Sequence, residues 1–251
     1  MLSLQKIWEY NVLGIYNTRT DKQFADYFKF IEENVKYMEG DIAEFGVFRG
    51  SSIVALGLFL KELGSDKKIY GFDSFGGFPT YHQNDDLSKF KKLLLEGRIT
   101  QAHWDDISKN IHYRELMTSG KVNAENISTS GNFSDCSFDF LKEKIAFLDL
   151  DNIILVKGDF KESLNNESNT PLMAALIDCD LYQGYKDCLP FIWKNLVPGG
   201  YIFLDEYYSL KFPGARIATD EFFADKKDKP QKHQQMLEDF ERWFVRKIYG
   251  R

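Results

Sequence analysis

Residues 41–79 read DIAEFGVFRGSSIVALGLFLKELGSDKKIYGFDSFGGFP, and the rest of the chain is organised around them. The stretch begins with a short apolar run at 42–47, turns at 48–52 and continues at 53–63 through an apolar-rich segment long enough for a helix. A second strand is predicted at 68–72, and Asp73 follows it. Strand, Gly-containing turn, helix, strand and acidic residue, in this order, are typical of a half-domain that binds a nucleotide-type ligand. The spacing from Gly46 to Asp73 would let the carboxylate reach a ribose held over the first turn.

The composition indicates a globular protein with a large core. The chain has 251 residues, 43% of them hydrophobic and 16% aromatic, which suffices for one α/β domain. Its net charge of -6 argues against nucleic-acid and anionic-membrane partners, because proteins that bind them usually carry a basic surface. Cys136, Cys179 and Cys188 match neither a disulfide framework nor a zinc motif, which favours a reducing compartment. Without a signal-peptide pattern or an apolar run of membrane-spanning length, we predict a cytoplasmic protein.

Two regions flank or interrupt the predicted α/β pattern within what we interpret as a single domain, 1–251. Residues 1–39 show helical apolar spacing twice, and we interpret them as a packed helical cap, with a lid or a subunit interface as the alternative. Residues 80–135 form a long insertion, with a short helix predicted at 90–95 and a polar surface loop at 118–137. Insertions of this size in an α/β unit usually face substrate, so a substrate lid is predicted.

The remaining chain alternates strands and helices. Strands are predicted at 153–156, 172–177 and 201–204, the first of them as a buried strand, and helices at 138–147, 185–196 and 215–223. Phe140, Leu141 and Ile145 are predicted to face inward. The segment 242–249 fits a strand or the end of a helix, and we favour the strand. This alternation predicts a mostly parallel, doubly wound sheet.

Polar or acidic residues follow each predicted strand of the sheet's centre. They are Glu44 and Gly46, Asp73, Gly158 and Asp159, Asp178, and Asp205 with Glu206. Open parallel sheets bind ligands at the carboxyl ends of their strands, whereas a carboxylate in mid-sheet would be costly. A single aspartate at such a place is often only a helix N-cap, but five strand ends together favour a shared site.

The first turn lacks the features of a phosphate cradle. It has no Gly-x-x-x-x-Gly-Lys-Ser/Thr pattern, no lysine near Gly50 and no third glycine of the dinucleotide type. Glu44 would repel a phosphate but suits a cationic ammonium or sulfonium group, which favours S-adenosylmethionine over NAD. Asp73 is then predicted to hold the ribose hydroxyls, and residues 158–160 to bracket the adenine.

Asp178, Asp180, Asp205 and Glu206 form a second acidic set. Oxygen ligands from two adjacent strand ends suit a hard divalent ion such as Mg²⁺. Asp178, Asp205 and Glu206 are the predicted ligands. Asp180 shares a face of the extended segment with Asp178 and is either a ligand or a residue that orients substrate. Helix capping by solvated carboxylates is the alternative.

Several motifs resemble those of the macrocin O-methyltransferase family. They are EFGVFRGS at 44–51, FDSFGGFP at 72–79, IDCDLY at 177–182, PGGY at 198–201 with DEY at 205–207, and GAR at 214–216 with DEF at 220–222. The resemblance implies an α/β fold with a doubly wound, Rossmann-like class I methyltransferase sheet, here with N-terminal helices and an inserted segment. It also implies methylation of sugar hydroxyls on natural products with S-adenosylmethionine and Mg²⁺. The family commonly has two aspartates where this chain has Asp205 and Glu206, and we align no counterpart in it to the segment 80–135.

The residues and the resemblance together predict the members of the site. Cofactor contacts are predicted for Glu44, Phe45, Gly46, Arg49, Gly50, Ser51, Ser52, Asp73, Ser74, Gly158, Asp159, Phe160 and Asp178. Asp178, Asp205 and Glu206 would bind the metal, and Asp178 and His82 are the predicted catalytic residues. No general base stands out. Related catechol-type enzymes place a lysine three residues after the first metal aspartate, where this chain has Leu181; His103 and His112 are further candidates beside His82.

The predicted partner is a hydroxylated, sugar-bearing small molecule, and the aromatic N-terminal helices are compatible with a homodimer. Two other functions stay open. A metal-dependent glycosyltransferase is one, because Asp178-x-Asp180 resembles the acidic pair of nucleotide-sugar enzymes. The other is a non-catalytic protein that keeps the fold and the ligand.

Overall fold

Seven strands form one sheet at the centre of the computed structural model, which describes residues 4–166, 170–234 and 240–249. The strands are β1 (Asp41–Phe45), β2 (Ile69–Asp73), β3 (Ile153–Lys157), β4 (Leu172–Ile177), β5 (Leu196–Leu204), β6 (Gln231–Lys232) and β7 (Trp243–Arg246). Their order across the sheet is β3-β2-β1-β4-β5-β7-β6. The first five strands are parallel, and β7 is antiparallel to both β5 and β6. The predicted mostly parallel, doubly wound sheet is confirmed, with a strand in the tail.

Helices cover both faces of this sheet. They are α1 (Ile7–Leu13), α2 (Ala25–Asn34), α3 (Ser51–Glu62), α4 (Ser88–Leu95), α5 (Gln101–Thr118), α6 (Phe138–Phe147), α7 (Phe160–Asn166), α8 (Tyr182–Asn195) and α9 (Pro213–Phe223). The helices α2, α3 and α6 pack with Ile42 on one face, and α7, α8 and α9 pack with Ala43 and Phe45 on the other. Successive strand residues point to opposite faces, which gives the sheet two cores. No helix within the described residues is long and apolar enough to cross a membrane.

The position of a strand in the sheet decides how far it is buried. All six residues of β4 are buried, because β4 lies in the middle and has helices on both sides. The prediction of a buried strand at 153–156 was wrong: β3 is an edge strand, and Ile154 is 37% exposed.

Two helices differ from the prediction in ways that geometry explains. Phe140 does not face inward but is 62% exposed, because it precedes Leu141 by one position, which is about 100° around a helix. The helix α5 was not predicted at all. It has 18 residues, yet only His103 and Ile107 are buried, so its apolar periodicity is weak.

Candidate active site

A cavity of about 350 Å³ opens at the carboxyl ends of β1, β2, β4 and β5. This is the edge at which open α/β sheets bind their ligands. Residues that line it come from the first turn (46–49, 51, 52), from the exit of β2 (73, 74), from the start of α7 (158–160), and from the exits of β4 and β5 (178–181, 205, 206, 211). The N-terminal region and the insertion contribute as well.

Gly46 and Asp73 shape the first turn. Gly46 has φ +91°, and a Cβ atom there would overlap the carbonyl oxygen of Asp178, so glycine is needed where β1 leaves the sheet beside β4. Asp73 Oδ2 accepts hydrogen bonds from the backbone N–H groups of Val47 (2.8 Å) and Phe48 (2.9 Å). Its Oδ1 accepts one from a backbone N–H two residues further on. Much of the Asp73 carboxylate is therefore used to brace the turn, and Oδ1 is the atom with room for a further hydrogen bond.

Glu44 lies inside β1 and is only 1% exposed. Its Oε1 accepts a hydrogen bond from Ser52 Oγ (2.6 Å), and its Oε2 has no partner among the described residues. Burial raises the pKa of Glu44 to about 8, so the carboxyl group is mostly protonated at neutral pH. The structure thus places Ser52, and not the Glu44 carboxyl, at the cavity surface.

Asp178, Asp205 and Glu206 converge at the ends of β4 and β5. One carboxylate oxygen from each lies within 4.8 Å of the other two, which is close enough for all three to bind one ion. Burial raises the pKa of Asp178 well above its ordinary value, and neighbouring carboxylates, Asp205 foremost, raise it further. Burial also raises the pKa of Glu206. Such crowding opposes ionisation unless a positive charge comes between the carboxylates.

Asp180 and Lys211 lie beside these three residues. Asp180 is 6% exposed and has φ +59°, and its pKa is raised by burial and then by Glu206. We call Asp178, Asp180, Asp205 and Glu206 the acidic group. Lys211 lies in the loop between β5 and α9 and lines the same cavity. No sequence motif contains Lys211; the available signal was a lone lysine in the loop that follows two acidic residues.

Asp205 contacts two residues that are distant in sequence. Its Oδ1 accepts a hydrogen bond from Gln23 Nε2 (3.0 Å) and lies 3.7 Å from Arg242 Nη1. Gln23 precedes α2, and Arg242 precedes β7. The N-terminal region therefore packs on the sheet and also contributes Tyr16 and Gln23 to the cavity wall.

Part of the cavity wall is aromatic. The Phe133 ring packs edge-to-face on Phe48, with centroids 5.2 Å apart, and lies 4.9 Å from the ring of Phe78. Phe133 belongs to the 80–135 insertion, which also contributes Thr80 to the lining. The insertion therefore forms part of this cavity.

Most of the predicted site residues line the cavity. They are Gly46, Arg49, Ser51, Ser52, Asp73, Ser74, Gly158, Asp159, Phe160, Asp178, Asp205 and Glu206. Glu44, Phe45 and Gly50 are not brought to its surface. Phe45 instead packs on the ring of Phe72 in the core, and Gly50 lies against Leu141 so closely that a Cβ atom would overlap it. The guanidinium of Arg49 pairs with Asp135.

The histidines that were candidates for a general base lie elsewhere. His82 Nδ1 accepts a hydrogen bond from the backbone of Asn84 (3.1 Å), so it caps a short 3₁₀ turn, and its ring stacks on Tyr182. It is not among the residues that line the cavity, and this placement does not support a role as base. His103 is buried and bonds a backbone carbonyl, and His112 is exposed.

Comparison with known proteins gives one family. The model of the macrocin O-methyltransferase (TylF) family matches residues 18–151 and 137–235. The mycinamicin III 3''-O-methyltransferase of Micromonospora griseorubida is 28% identical over 188 residues, 73% of this chain and 60% of that protein. The demethyldecarbamoylnovobiocin O-methyltransferase of Streptomyces niveus is 24% identical over 188 residues, 74% of this chain and 58% of that protein.

A third relative carries a rhamnose in its name. It is the 8-demethyl-8-(2,3-dimethoxy-alpha-L-rhamnosyl)-tetracenomycin-C 4'-O-methyltransferase of Streptomyces olivaceus, 25% identical over 169 residues, 67% of this chain and 53% of that protein. The chain thus spans between 53% and 60% of the length of these three relatives.

Two solved structures share the fold. The O-methyltransferase NovP superposes with a TM-score of 0.63 at 19% identity, over 90% of this chain and 80% of NovP. CalS11, a calicheamicin methyltransferase, superposes with a TM-score of 0.59 at 20% identity, over 96% of this chain and 80% of CalS11. The predicted Rossmann-like class I methyltransferase fold is confirmed.

Proposed function

We propose that this chain, which belongs to the macrocin O-methyltransferase family, transfers a methyl group from S-adenosylmethionine to a sugar hydroxyl. A divalent metal ion, preferably Mg²⁺, would assist the transfer. One observation carries the proposal: the carboxylates of Asp178, Asp205 and Glu206 share a cavity with the Gly46 turn. Cofactor and acceptor would therefore meet at one edge of the sheet. The names of the relatives favour an acceptor that bears a sugar.

The residues around the first turn fit S-adenosylmethionine. Gly46 lets β1 leave the sheet directly against the backbone of Asp178, and the turn that follows, residues 47–49, lines the cavity where the cofactor would lie. Asp73 Oδ1 would accept from a ribose hydroxyl. Glu44 Oε2 is a buried oxygen without a partner, and a ligand ammonium on the far side of Ser52 would stabilise its ionised form. When bound, the cofactor supplies an electrophilic methyl group on a sulfonium.

The acidic group fits a divalent ion. Its donors are all carboxylate oxygens, the type that Mg²⁺ prefers. The four carboxylates carry four formal negative charges, Lys211 and Arg242 supply two positive charges, and a divalent ion would supply the other two. When bound, such an ion lowers the pKa of a hydroxyl that it contacts.

The chain's own contribution to transfer is position. The Gly46 turn would hold the sulfonium, and the exits of β4 and β5 would hold the acceptor oxygen in line with the methyl carbon, which supplies much of the rate. In that arrangement the S–CH₃ bond would break as an O–CH₃ bond forms, and the hydroxyl proton would leave to water at the cavity mouth. Phe48, Phe78 and Phe133 offer an apolar wall for the ring of a sugar or its aglycone.

The test is to incubate the protein with S-adenosylmethionine, Mg²⁺ and either methyl α-L-rhamnopyranoside or TDP-rhamnose, and to follow S-adenosylhomocysteine and methylated sugar by mass spectrometry. We expect product that disappears with EDTA and returns with added Mg²⁺. An unchanged rate in EDTA would refute the metal, and the absence of product from every sugar would refute the acceptor class.

Binding measurements separate the alternatives. Calorimetry should detect binding of S-adenosylhomocysteine and no binding of UDP-glucose. The reverse result would favour a glycosyltransferase. A protein that binds S-adenosylhomocysteine but methylates no acceptor would fit the non-catalytic alternative.

A further inference from the structure

Lys211 brings a cation into the part of the cavity that is otherwise acidic. It lines the cavity together with all four members of the acidic group. Arg49 also lines it, but its guanidinium pairs with Asp135 in the loop before α6. Lys211 is therefore the cation that the described lining offers next to the proposed metal ligands.

The loop that carries Lys211 is held firmly. Ser209 Oγ accepts hydrogen bonds from the backbone N–H groups of Lys211 (3.0 Å) and Phe212 (2.8 Å). The carbonyl of Ser209 accepts a hydrogen bond from His103 Nε2 (2.8 Å), which belongs to the inserted helix α5. Phe212 is fully buried and packs with Ile127 of the same insertion. The insertion thus fixes the backbone from which the Lys211 side chain starts.

The Lys211 ammonium has no carboxylate partner among the described residues, so its N–H donors can bind a ligand. Within the residues that the structure describes, no carboxylate oxygen lies within 4.0 Å of Lys211 Nζ. Burial works against its charge, but the carboxylates, Glu206 and Asp180 foremost, outweigh burial and raise the pKa of Lys211. A lysine ammonium has three donors and no acceptor, so its natural partners are oxygen atoms of a ligand.

We propose that Lys211 is an acceptor-binding residue, whose ammonium donates hydrogen bonds to hydroxyl oxygens of the acceptor beside Asp178 and Glu206. The inference rests on the proposed function and identifies the residue that selects its substrate. A sulfonium or an α-ammonium would be repelled by Lys211, whereas an acceptor oxygen gains negative charge as its proton leaves. With one acceptor oxygen at the metal and a second at the ammonium, Lys211 would favour acceptors with two or more neighbouring hydroxyls.

The alternative role for Lys211 is charge compensation alone. In that role it would keep the acidic group from repelling itself, and its loss would lower the thermal stability without affecting the acceptor more than the cofactor. The two roles predict different results for the sugar: loss of an acceptor-binding residue lowers kcat/KM, whereas loss of charge compensation alone leaves kcat/KM unchanged.

The experiment compares Lys211→Met and Lys211→Arg with the wild type and with the control Lys186→Met. Lys186 lies on α8, pairs with Glu221 at 3.3 Å and is not part of the cavity lining.

For each protein, kcat and KM are measured with methyl α-L-rhamnopyranoside, and the Kd of S-adenosylhomocysteine is measured by calorimetry in Mg²⁺. We expect kcat/KM for the sugar to fall by about tenfold to a hundredfold in Lys211→Met, since hydrogen bonds to charged groups are the strong ones. Lys211→Arg should recover part of it, and the Kd of S-adenosylhomocysteine should stay within about twofold.

An equal kcat/KM in wild type and Lys211→Met, with only the melting temperature lowered, would overturn the inference and leave charge compensation. A parallel loss of S-adenosylhomocysteine affinity would overturn it as well, because the effect would then not be specific to the acceptor. Failure of the wild type itself to methylate the rhamnoside or TDP-rhamnose would refute the proposed acceptor class, and with it this role for Lys211.

Discussion

The two halves of the cavity are built from the chain in different ways. The half proposed for the cofactor comes mainly from one stretch, residues 44–79, in which Asp73 bonds directly to the turn that follows Gly46; residues 158–160 are added to it from the start of α7. The half proposed for the acceptor adds residues from separate segments to the wall formed by Phe48 and Phe78; they are Gln23, Phe133, Asp180 and Lys211. A local turn has to satisfy its own geometry, so its glycine and aspartate stand at a fixed spacing. A wall assembled from distant loops only has to enclose a space, and each segment of it can change separately.

The largest effect should come from the residue where the two halves meet, Asp178. Asp178→Ala removes a proposed metal ligand, so we expect transfer to the rhamnoside to fall by about 10³-fold or more, because the metal contributes several kcal/mol. The Kd of S-adenosylhomocysteine should change much less, because most of the proposed cofactor contacts lie in the Gly46 turn and at Asp73. The control is Asp225→Ala, which removes an exposed carboxylate that pairs with Lys226 outside the cavity lining. Full activity in Asp178→Ala would refute the metal assignment.

The cofactor half should be sensitive to a single methyl group. In Gly46→Ala the new Cβ meets the Asp178 carbonyl at a positive φ, and we expect the affinity for S-adenosylhomocysteine to fall by about 100-fold, a loss of about 3 kcal/mol, together with the melting temperature. Gly64→Ala is the matched control, since φ is +64° and nothing lies within 4 Å. It should cost only about 1 kcal/mol of folding free energy. Wild-type affinity in Gly46→Ala would contradict the close approach of the two strands.

Glu44 should make cofactor binding depend on pH. Its pKa of about 8 leaves it protonated at pH 7, and a bound ammonium would lower that pKa, so binding should release a proton. The affinity for S-adenosylhomocysteine should then rise with pH, by up to about tenfold per unit below pH 8. Calorimetry at pH 7 in buffers of different ionisation enthalpy would count the protons. Glu44→Gln should show none, and an equal release in that variant would rule out Glu44 as their source.

The buried Glu44 should also lower the free energy of unfolding as pH rises. The folded-state pKa of about 8 lies above the ordinary 4.5, so the folded chain holds a proton that the unfolded chain has lost. Between these two values the Glu44 contribution lowers the stability as pH increases. Glu44→Gln should flatten that slope in a denaturant titration series, and an unchanged slope would show that Glu44 is not its origin.

The smallest effect is expected at His103, which does not line the cavity but supports the loop that carries Lys211. Its ring stacks on Tyr208 at 3.8 Å and its Nε2 bonds the Ser209 carbonyl, so His103→Ala should lower the free energy of unfolding by about 1–3 kcal/mol. Turnover of the rhamnoside should fall by no more than about tenfold, because the loop of Lys211 keeps its contacts through Phe212. His112→Ala, on the exposed face of α5, is the control. A loss of S-adenosylhomocysteine affinity in His103→Ala would contradict the separation of the two halves.

This difference also explains what could be predicted from the sequence. The trio Asp178, Asp205 and Glu206 was predictable because parallel strands end at one edge, so residues at their exits must come together. The exposure of β3 was not predictable, since its Ile-Ile-Leu-Val run looks the same in an edge strand as in a central one. The approach of Gln23 and Lys211 depends on how loops cross the sheet edge, which no local pattern records. Glu44 was predicted as a cofactor contact from its place before the turn, but its side chain is buried and does not line the cavity, and its protonation follows from burial that only the fold creates.

Two parts of the chain that are far apart in sequence both contact Asp205 Oδ1. Gln23 donates to this oxygen from the region before α2, and Arg242 approaches it from the region before β7. An ion that takes the same oxygen would displace the amide and oppose the guanidinium. Ion binding and the docking of both regions would then be linked reciprocally, so that whatever loosens either region changes the affinity for the ion, and the ion in turn changes how tightly each is held.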